Sequence, residues 1–271
     1  AGAERLVPLL EEEERQMADK VPDEFKHIET IEFEHVWFSY NNNDIYALED
    51  FTLNIKAGEF IGIVGPSGSG KSTLLSLLMG VYKPTRGAIY INGINIAKYD
   101  SSVLRHLMGY VFQQAYLFKG SIKDNLTLFD TSISNEEIVN AAKQVNLDAM
   151  IEQLPEGYDT PVGYLGSLLS DGQKQLLAFG RTLIKKTPIL LLDEATANID
   201  SHTEKQIQAS IESIRGSKTI VSIAHRLSTV EDANKIVYME YGKIIEKGSF
   251  NELIHLKGAF YNLWNNQHSG S

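Results

Sequence analysis

At 271 residues and 43% hydrophobic side chains, the chain suffices for one large domain or two small ones around a packed core, which excludes disorder throughout. Its 35 acidic against 25 basic residues, a formal charge of −10, disfavour a nucleic-acid binder that must neutralise many phosphates, with only a small basic patch left open. The absence of cysteine excludes a disulfide framework, a thiolate metal site and a cysteine nucleophile.

In chain order, "AERLVPLLEEEERQ" puts Leu6, Leu9 and Leu10 at helical spacing ahead of an acidic run and reads as a solvated amphipathic helix. A first residue of Ala1 in place of Met is compatible with processing or with excision from a longer protein. Residues 17–30 are polar and read as a linker. From Ile31 the chain turns to short β-type runs, "IEFEHVWF", "FTLNI" and "AIYINGINI", the last with a hairpin turn at Asn92-Gly93. Between about 121 and 185 the pattern is helical; Ser134 and Glu137 form a capping box ahead of a stripe of Ile138, Ala141, Ala142 and Val145. The run "ILLL" at 189–192, a helix bearing Ile207, Ile211 and Ile214, the strand "TIVSI" and a hairpin "KIVYMEYGKIIEKG" follow. Apolar strands alternating with helices predict a largely parallel sheet buried on both faces. No apolar run approaches the ~18 to 20 residues needed to span a bilayer.

Residues 65–72, "GPSGSGKS", fit a phosphate loop, preceded by the apolar "FIGIV" and followed by the helix-forming "STLLSLLM". Gly65, Gly68 and Gly70 let the backbone N–H groups, those of Ser67 and Ser69 among them, close around the β- and γ-phosphates, and the positive end of the next helix faces the same charge. Lys71 adds a point charge, the Ser72 hydroxyl is placed for Mg²⁺, and Thr73 beside them is a further nucleotide-binding candidate. "PILLLDE" reads as a buried strand ending in two carboxylates. Beside a phosphate loop, Asp193 would steady the hydrated Mg²⁺ and Glu194 would polarise the attacking water; by itself the pair is as readily a helix cap.

Leu169-Ser170-Asp171-Gly172-Gln173, lying between those two motifs, resembles the LSGGQ signature of the ATP-binding cassette (ABC) superfamily. Further matches in family order extend over nearly the whole chain. Tyr40 resembles the aromatic that stacks on adenine, Gln113 the glutamine that links Mg²⁺ to the membrane-domain contact, Asp200 the D-loop carboxylate and His225 the switch histidine at the γ-phosphate. Singly, these have plain readings as an interface aromatic, a surface amide, a helix N-cap and a strand-end core residue. "AERLVPLLEEEER" is similar to the cytoplasmic extension joining an exporter's last transmembrane helix to its nucleotide-binding domain. "LPEGYDTPVG" is similar to the segment before the signature in exporters, with Tyr164 where an acidic residue is usual.

The resemblance implies an α/β ABC ATPase: a P-loop core with a mostly parallel sheet, an antiparallel β layer and an inserted helical subdomain at about 121–185. Residues 1–30 would link it to a missing transmembrane domain, and 31–271 would form the nucleotide-binding domain. It implies ATP and Mg²⁺ as ligands and a place at the cytoplasmic face of a membrane, the segment itself being soluble. Two such domains would pair head to tail, each ATP held between the phosphate loop of one and Ser170, Gly172 and Gln173 of the other, closing on binding and reopening on hydrolysis. Lys71 and His225 would stabilise charge on the γ-phosphoryl group while Glu194 activates water. Importer-type and soluble ABC ATPases carry the same motifs; the exporter-type extension speaks against the first. The second should show a coiled-coil insertion, a second cassette or a basic surface. Asp171 stands where family members carry glycine. Facing a partner-bound γ-phosphate at about 6 Å, with an effective dielectric near 20, it would repel by roughly 2 to 3 kcal/mol per unit charge. The expectation is one half of a heterodimeric exporter with one degenerate site; a homodimer with Asp171 turned to solvent is the alternative.

Overall fold

A computed structural model of the protein describes residues 22–41, 45–195, 199–224 and 226–268. The expected extension helix at 3–16 lies outside them.

The β-type runs fold into two sheets. β1 (Thr30–Phe38), β2 (Leu48–Lys56), β4 (Arg86–Ile91) and β5 (Ile94–Asn95) form an antiparallel layer in the order β2-β1-β4-β5. β3 (Phe60–Val64), β6 (Met108–Val111), β7 (Ile189–Asp193), β8 (Thr219–Ile223), β9 (Lys235–Glu240) and β10 (Lys243–Gly248) form the second sheet, in the order β10-β9-β3-β8-β7-β6. It is parallel except for the β9–β10 hairpin. The helices are α1 (Lys71–Leu78), α2 (Ser101–His106), α3 (Ile122–Thr127), α4 (Asn135–Gln144), α5 (Asp148–Ile151), α6 (Asp171–Ile184), α7 (Ser201–Ile214), α8 (Phe250–Leu256) and α9 (Ala259–His268). α3 to α6 make up the expected helical insert. The fold is therefore mixed α/β with a parallel and an antiparallel sheet.

Local chemistry explains the turns and caps. Asn92 and Gly93 both have positive φ, at 53° and 74°, and Ile91 pairs with Ile94 across them, which is the two-residue hairpin expected of Asn-Gly. Ser134 and Glu137 cap α4 reciprocally, and Ile138, Ala141, Ala142 and Val145 are buried beyond them. In β1 the alternation of buried residues breaks between Phe33 and Val36, where the pairing register shifts. The extra residue lets Ile31, Phe33, Val36 and Phe38 all face the core.

Alternate residues of the parallel strands feed two cores. Ile61 and Ile63 of β3 and Ile189 and Leu191 of β7 join α1 and the antiparallel layer. Phe60, Val64, Leu190 and Leu192 point to the other face, where α3, α4, α6, α7 and α8 cover them. This two-sided cover is what an apolar parallel sheet requires. Among the described residues no helix is long and apolar enough to cross a membrane.

Part of the segment expected to be a linker is folded onto the antiparallel layer. Phe25 is 1% exposed and packs edge-on against Tyr99 at 4.9 Å, and Ile28 is buried in the same core. The Asn92 side chain donates to the carbonyls of Glu24 and His27 at 2.9 and 2.7 Å, and its Oδ1 accepts the Glu29 N–H at 2.7 Å. The turn residue thereby ties down the entering chain. Phe25→Ala should cost about 3 kcal/mol of unfolding free energy in urea, as for other buried Phe truncations. A loss below about 1 kcal/mol would mean that residues 22–29 contribute no core contact.

Candidate functional site

The parallel register sets the site. Ile63 of β3 and Asp193 of β7 both pair with Ile223 of β8, so these three strands end at one level. The Ala224 N–H donates to the Ile63 carbonyl at 3.1 Å and the Glu194 N–H to the Ile223 carbonyl at 3.0 Å, carrying the alignment one residue further. Crevices at the carboxyl ends of parallel strands are the usual ligand sites of open α/β sheets.

The loop after β3 passes close to the neighbouring backbone. A Cβ on Gly65, φ 146°, would lie 2.1 Å from the Met239 carbonyl oxygen; one on Gly70, φ 98°, would lie 2.4 Å from that of Ala47. Only glycine fits either position. Ser67 and Gly68 are exposed at the loop tip, whereas Ser69 is buried and its carbonyl accepts from Gly242 of the β9–β10 turn. Because Gly70 caps α1 without a side chain, no side chain occupies the first-turn donors, and an anion can take them. Lys71, 5% exposed, donates to the carbonyls of Gly65 and Pro66 at 2.9 and 2.8 Å. Burial lowers its pKa, and the negative charges of Glu194 and Asp193 pull it back up, which places both carboxylates in electrostatic reach of the ammonium.

Glu194 has φ 51°, a strained value for a non-glycine residue, and there the chain turns out of the strand as the acidic pair requires. Asp193 accepts a hydrogen bond from the Tyr110 hydroxyl at 2.7 Å. Ser72 is exposed, whereas Thr73 is buried and its hydroxyl meets that of Tyr40 at 2.8 Å. The Tyr40 ring, half exposed, stands edge-on to Phe38 and Tyr82 at 4.9 and 5.3 Å. Tyr40, the phosphate loop, Lys71 to Thr73 and the acidic pair thus gather at the carboxyl ends of the parallel strands. His225 lies outside the described residues.

Gln113 is exposed in the loop after β6, and α6 holds that loop. Gln175, 3% exposed, donates to the Phe112 and Gln113 carbonyls at 2.7 and 3.4 Å. Arg181 donates to the carbonyls of Tyr116 and Asn125 and to the Asn125 side chain at 2.6 to 2.7 Å; burial lowers its pKa to about 10. These anchors link residues 56 to 65 apart in sequence, so no local motif announces them.

The signature is built as a helix start. Ser170 accepts from the Gln173 N–H at 3.2 Å and Gln173 Oε1 accepts from the Ser170 N–H at 2.9 Å. Asp171 is four-fifths exposed and pairs with Lys174 at 2.9 Å. The side-chain bonds of these residues stay within the first turn of α6. Gly172 is buried against α7, where Asp200 serves as N-cap and also accepts from the Thr203 hydroxyl at 2.7 Å. Arg226, next to His225 in sequence, pairs with the buried Glu204 of the same helix.

ATP and Mg²⁺ fit these donors. The uncapped helix start, the crowded glycines and the buried ammonium suit a polyphosphate. Among the described residues no cluster of three or more His, Asp or Glu could hold a metal alone. An Mg²⁺ ion on the phosphates would need only one or two protein groups beside phosphate oxygens and water, and Ser72 and Asp193 are the residues that would hold it.

The chain is similar to known proteins in both sequence and fold. The sequence model of the ABC transporter family matches residues 48–197. A beta-(1→2)glucan export ATP-binding/permease protein of Bartonella bacilliformis is 42% identical over 233 residues, covering 86% of this chain and 39% of that protein. An uncharacterized ABC transporter ATP-binding protein of Bacillus subtilis is 40% identical over 268 residues, 98% of this chain and 44% of its own length. The chain therefore spans about two-fifths of the length of these relatives. Among solved structures, a bacterial Atm1-family ABC exporter with ATP bound superimposes with a TM-score of 0.83 at 38% identity, covering 89% of this chain and 42% of that one.

A Cβ on Gly172 would lie 2.5 Å from the Thr203 hydroxyl oxygen, which its bond to Asp200 holds in place. Gly172→Ala should therefore lower stability by about 1 to 3 kcal/mol through overpacking. An unchanged midpoint in thermal unfolding would show that Thr203 yields freely.

Proposed function

The chain belongs to the ABC transporter family, and from that membership we propose that it is the ATP-hydrolysing domain of an exporter, working at the cytoplasmic face of a membrane beside membrane-spanning domains. The observation that carries this reading is the convergence of the phosphate loop, Lys71, Asp193 and Glu194 at aligned strand ends. The glucan export and Atm1-family relatives support export over import.

In this reading Tyr40 stacks on the base, the backbone N–H groups of Gly65 and of residues 67–73 and the Lys71 ammonium take the phosphates, and Ser72, Gln113 and Asp193 face the metal. Mg²⁺, when bound, neutralises charge on the phosphate oxygens. Glu194 accepts the proton of the attacking water, and the buried Lys71 stabilises the charge that spreads over the γ-phosphoryl oxygens. His225 contributes a donor to the same oxygens.

Ser170, Gly172 and Gln173 present the N-terminus of α6 to nucleotide held by a second cassette, so each hydrolytic site is shared between two. The exposed aromatics Phe112, Tyr116 and Phe118, next to Gln113, offer a contact surface for the membrane domain's loops. Tyr164, 78% exposed before the signature, alters that contact where an acidic residue is usual. Asp171 gives this cassette a signature poorer at facing phosphate, and its exposed pair with Lys174 offsets the charge only weakly. A partner cassette of different sequence, with a regular signature, completes the competent site.

In the complete exporter, Glu194→Gln should lower ATP turnover by about 10² to 10⁴ while leaving ATP affinity nearly unchanged, because the amide keeps the shape and loses the base. Phosphate release by the variant at the parental rate would sink the assignment.

A further inference from the structure

Tyr110 belongs to no motif, yet its side chain meets one. It lies on β6, in register with Leu191 of β7, and its hydroxyl reaches two residues further along that strand to donate to Oδ2 of Asp193 at 2.7 Å. The phenol is fixed on several sides. Its ring packs on Phe112 with centroids 4.3 Å apart, and the Phe112 carbonyl is gripped by the buried Gln175. The hydroxyl therefore holds its place only while the loop carrying Gln113 keeps to α6. A tyrosine hydroxyl is neutral near pH 7 and donates its proton to the carboxylate oxygen it meets.

We propose that Tyr110 is the positioning residue of the metal site: by occupying Oδ2 of Asp193 it fixes the carboxylate plane so that Oδ1 faces the hydrated Mg²⁺ of the nucleotide. This rests on the reading of Asp193 given above. Carboxylates that serve metals are commonly held by an outer hydrogen bond, and loss of that bond weakens metal affinity by about 10- to 100-fold. Asp193 acts through water, so the lower end applies. The same contact joins the strand that leads into Gln113 to the strand that ends in Asp193, so the two groups expected around the metal move together.

Tyr110→Phe tests this, because it removes one oxygen and keeps the ring on Phe112. Nucleotide binding to the 271-residue chain would be titrated with Mg²⁺ at fixed ATP, in the cold, beside a titration of ATP in EDTA. The Mg²⁺ concentration giving half of the metal-induced binding should rise about tenfold. Affinity in EDTA should not change. Asp193→Asn, run in parallel, should abolish the Mg²⁺ response. A Tyr110→Phe titration identical to the parent, with Asp193→Asn impaired, overturns the role of Tyr110 alone. Equal weakening with Mg²⁺ and with EDTA also overturns it and leaves a packing role. An Asp193→Asn chain that keeps the full Mg²⁺ response overturns the metal-site reading and the Tyr110 inference with it.

Discussion

Alignment of the carboxyl ends of β3, β8 and β7 is the constraint on which the site depends. Ile63, Ile223 and Asp193 stand at one level, and the next two N–H groups continue the ladder to Ala224 and Glu194. A one-residue slip of β7 would exchange its two faces, sending Leu190 and Leu192 into the wrong core and moving both carboxylates away from Lys71. Two apolar cores of different shape therefore fix the register that the chemistry needs.

The same economy ties the remaining parts together. α6 begins with the signature, is seated on α7 through Gly172 and Thr203, and reaches back through Gln175 and Arg181 to the loop of Gln113. A displacement of that loop cannot leave α6 undisturbed. In the proposed function this is the route by which the membrane-facing aromatics and the signature act on one another. The pair of Arg226 with the buried Glu204 links the segment after β8 to the helix that Asp200 caps.

Much of this was legible from local patterns, because local physics generates them. Gly65 to Ser72 could be read since a backbone packed against Met239 and Ala47 admits only glycine, and a loop of donors needs a cation beside it. Asn92-Gly93 and the Ser134–Glu137 box signal their own turn and cap. Residues 22–29 misled, since Asp23, Glu24, Lys26 and His27 surround two buried hydrophobes and give the segment the composition of a linker. Tyr110, Gln175 and Arg181 were missed for another reason. Their partners lie 56 to 83 residues away, on elements whose adjacency follows only from the strand order. Ser170 and Gln173 cap α6, so one geometry serves the helix and presents the motif.

In the proposed function this chain holds nucleotide on its own phosphate loop and needs the signature of a second cassette to close over it. The most direct measurement is the rate of ATP hydrolysis per chain against chain concentration, made on the Asp171→Gly chain so that the signature carries the family's usual glycine. Pairing requires a rate per chain that climbs with concentration and levels off as pairs form. A rate per chain that stays constant across the dilution series would contradict it, because a single cassette would then hydrolyse ATP unaided.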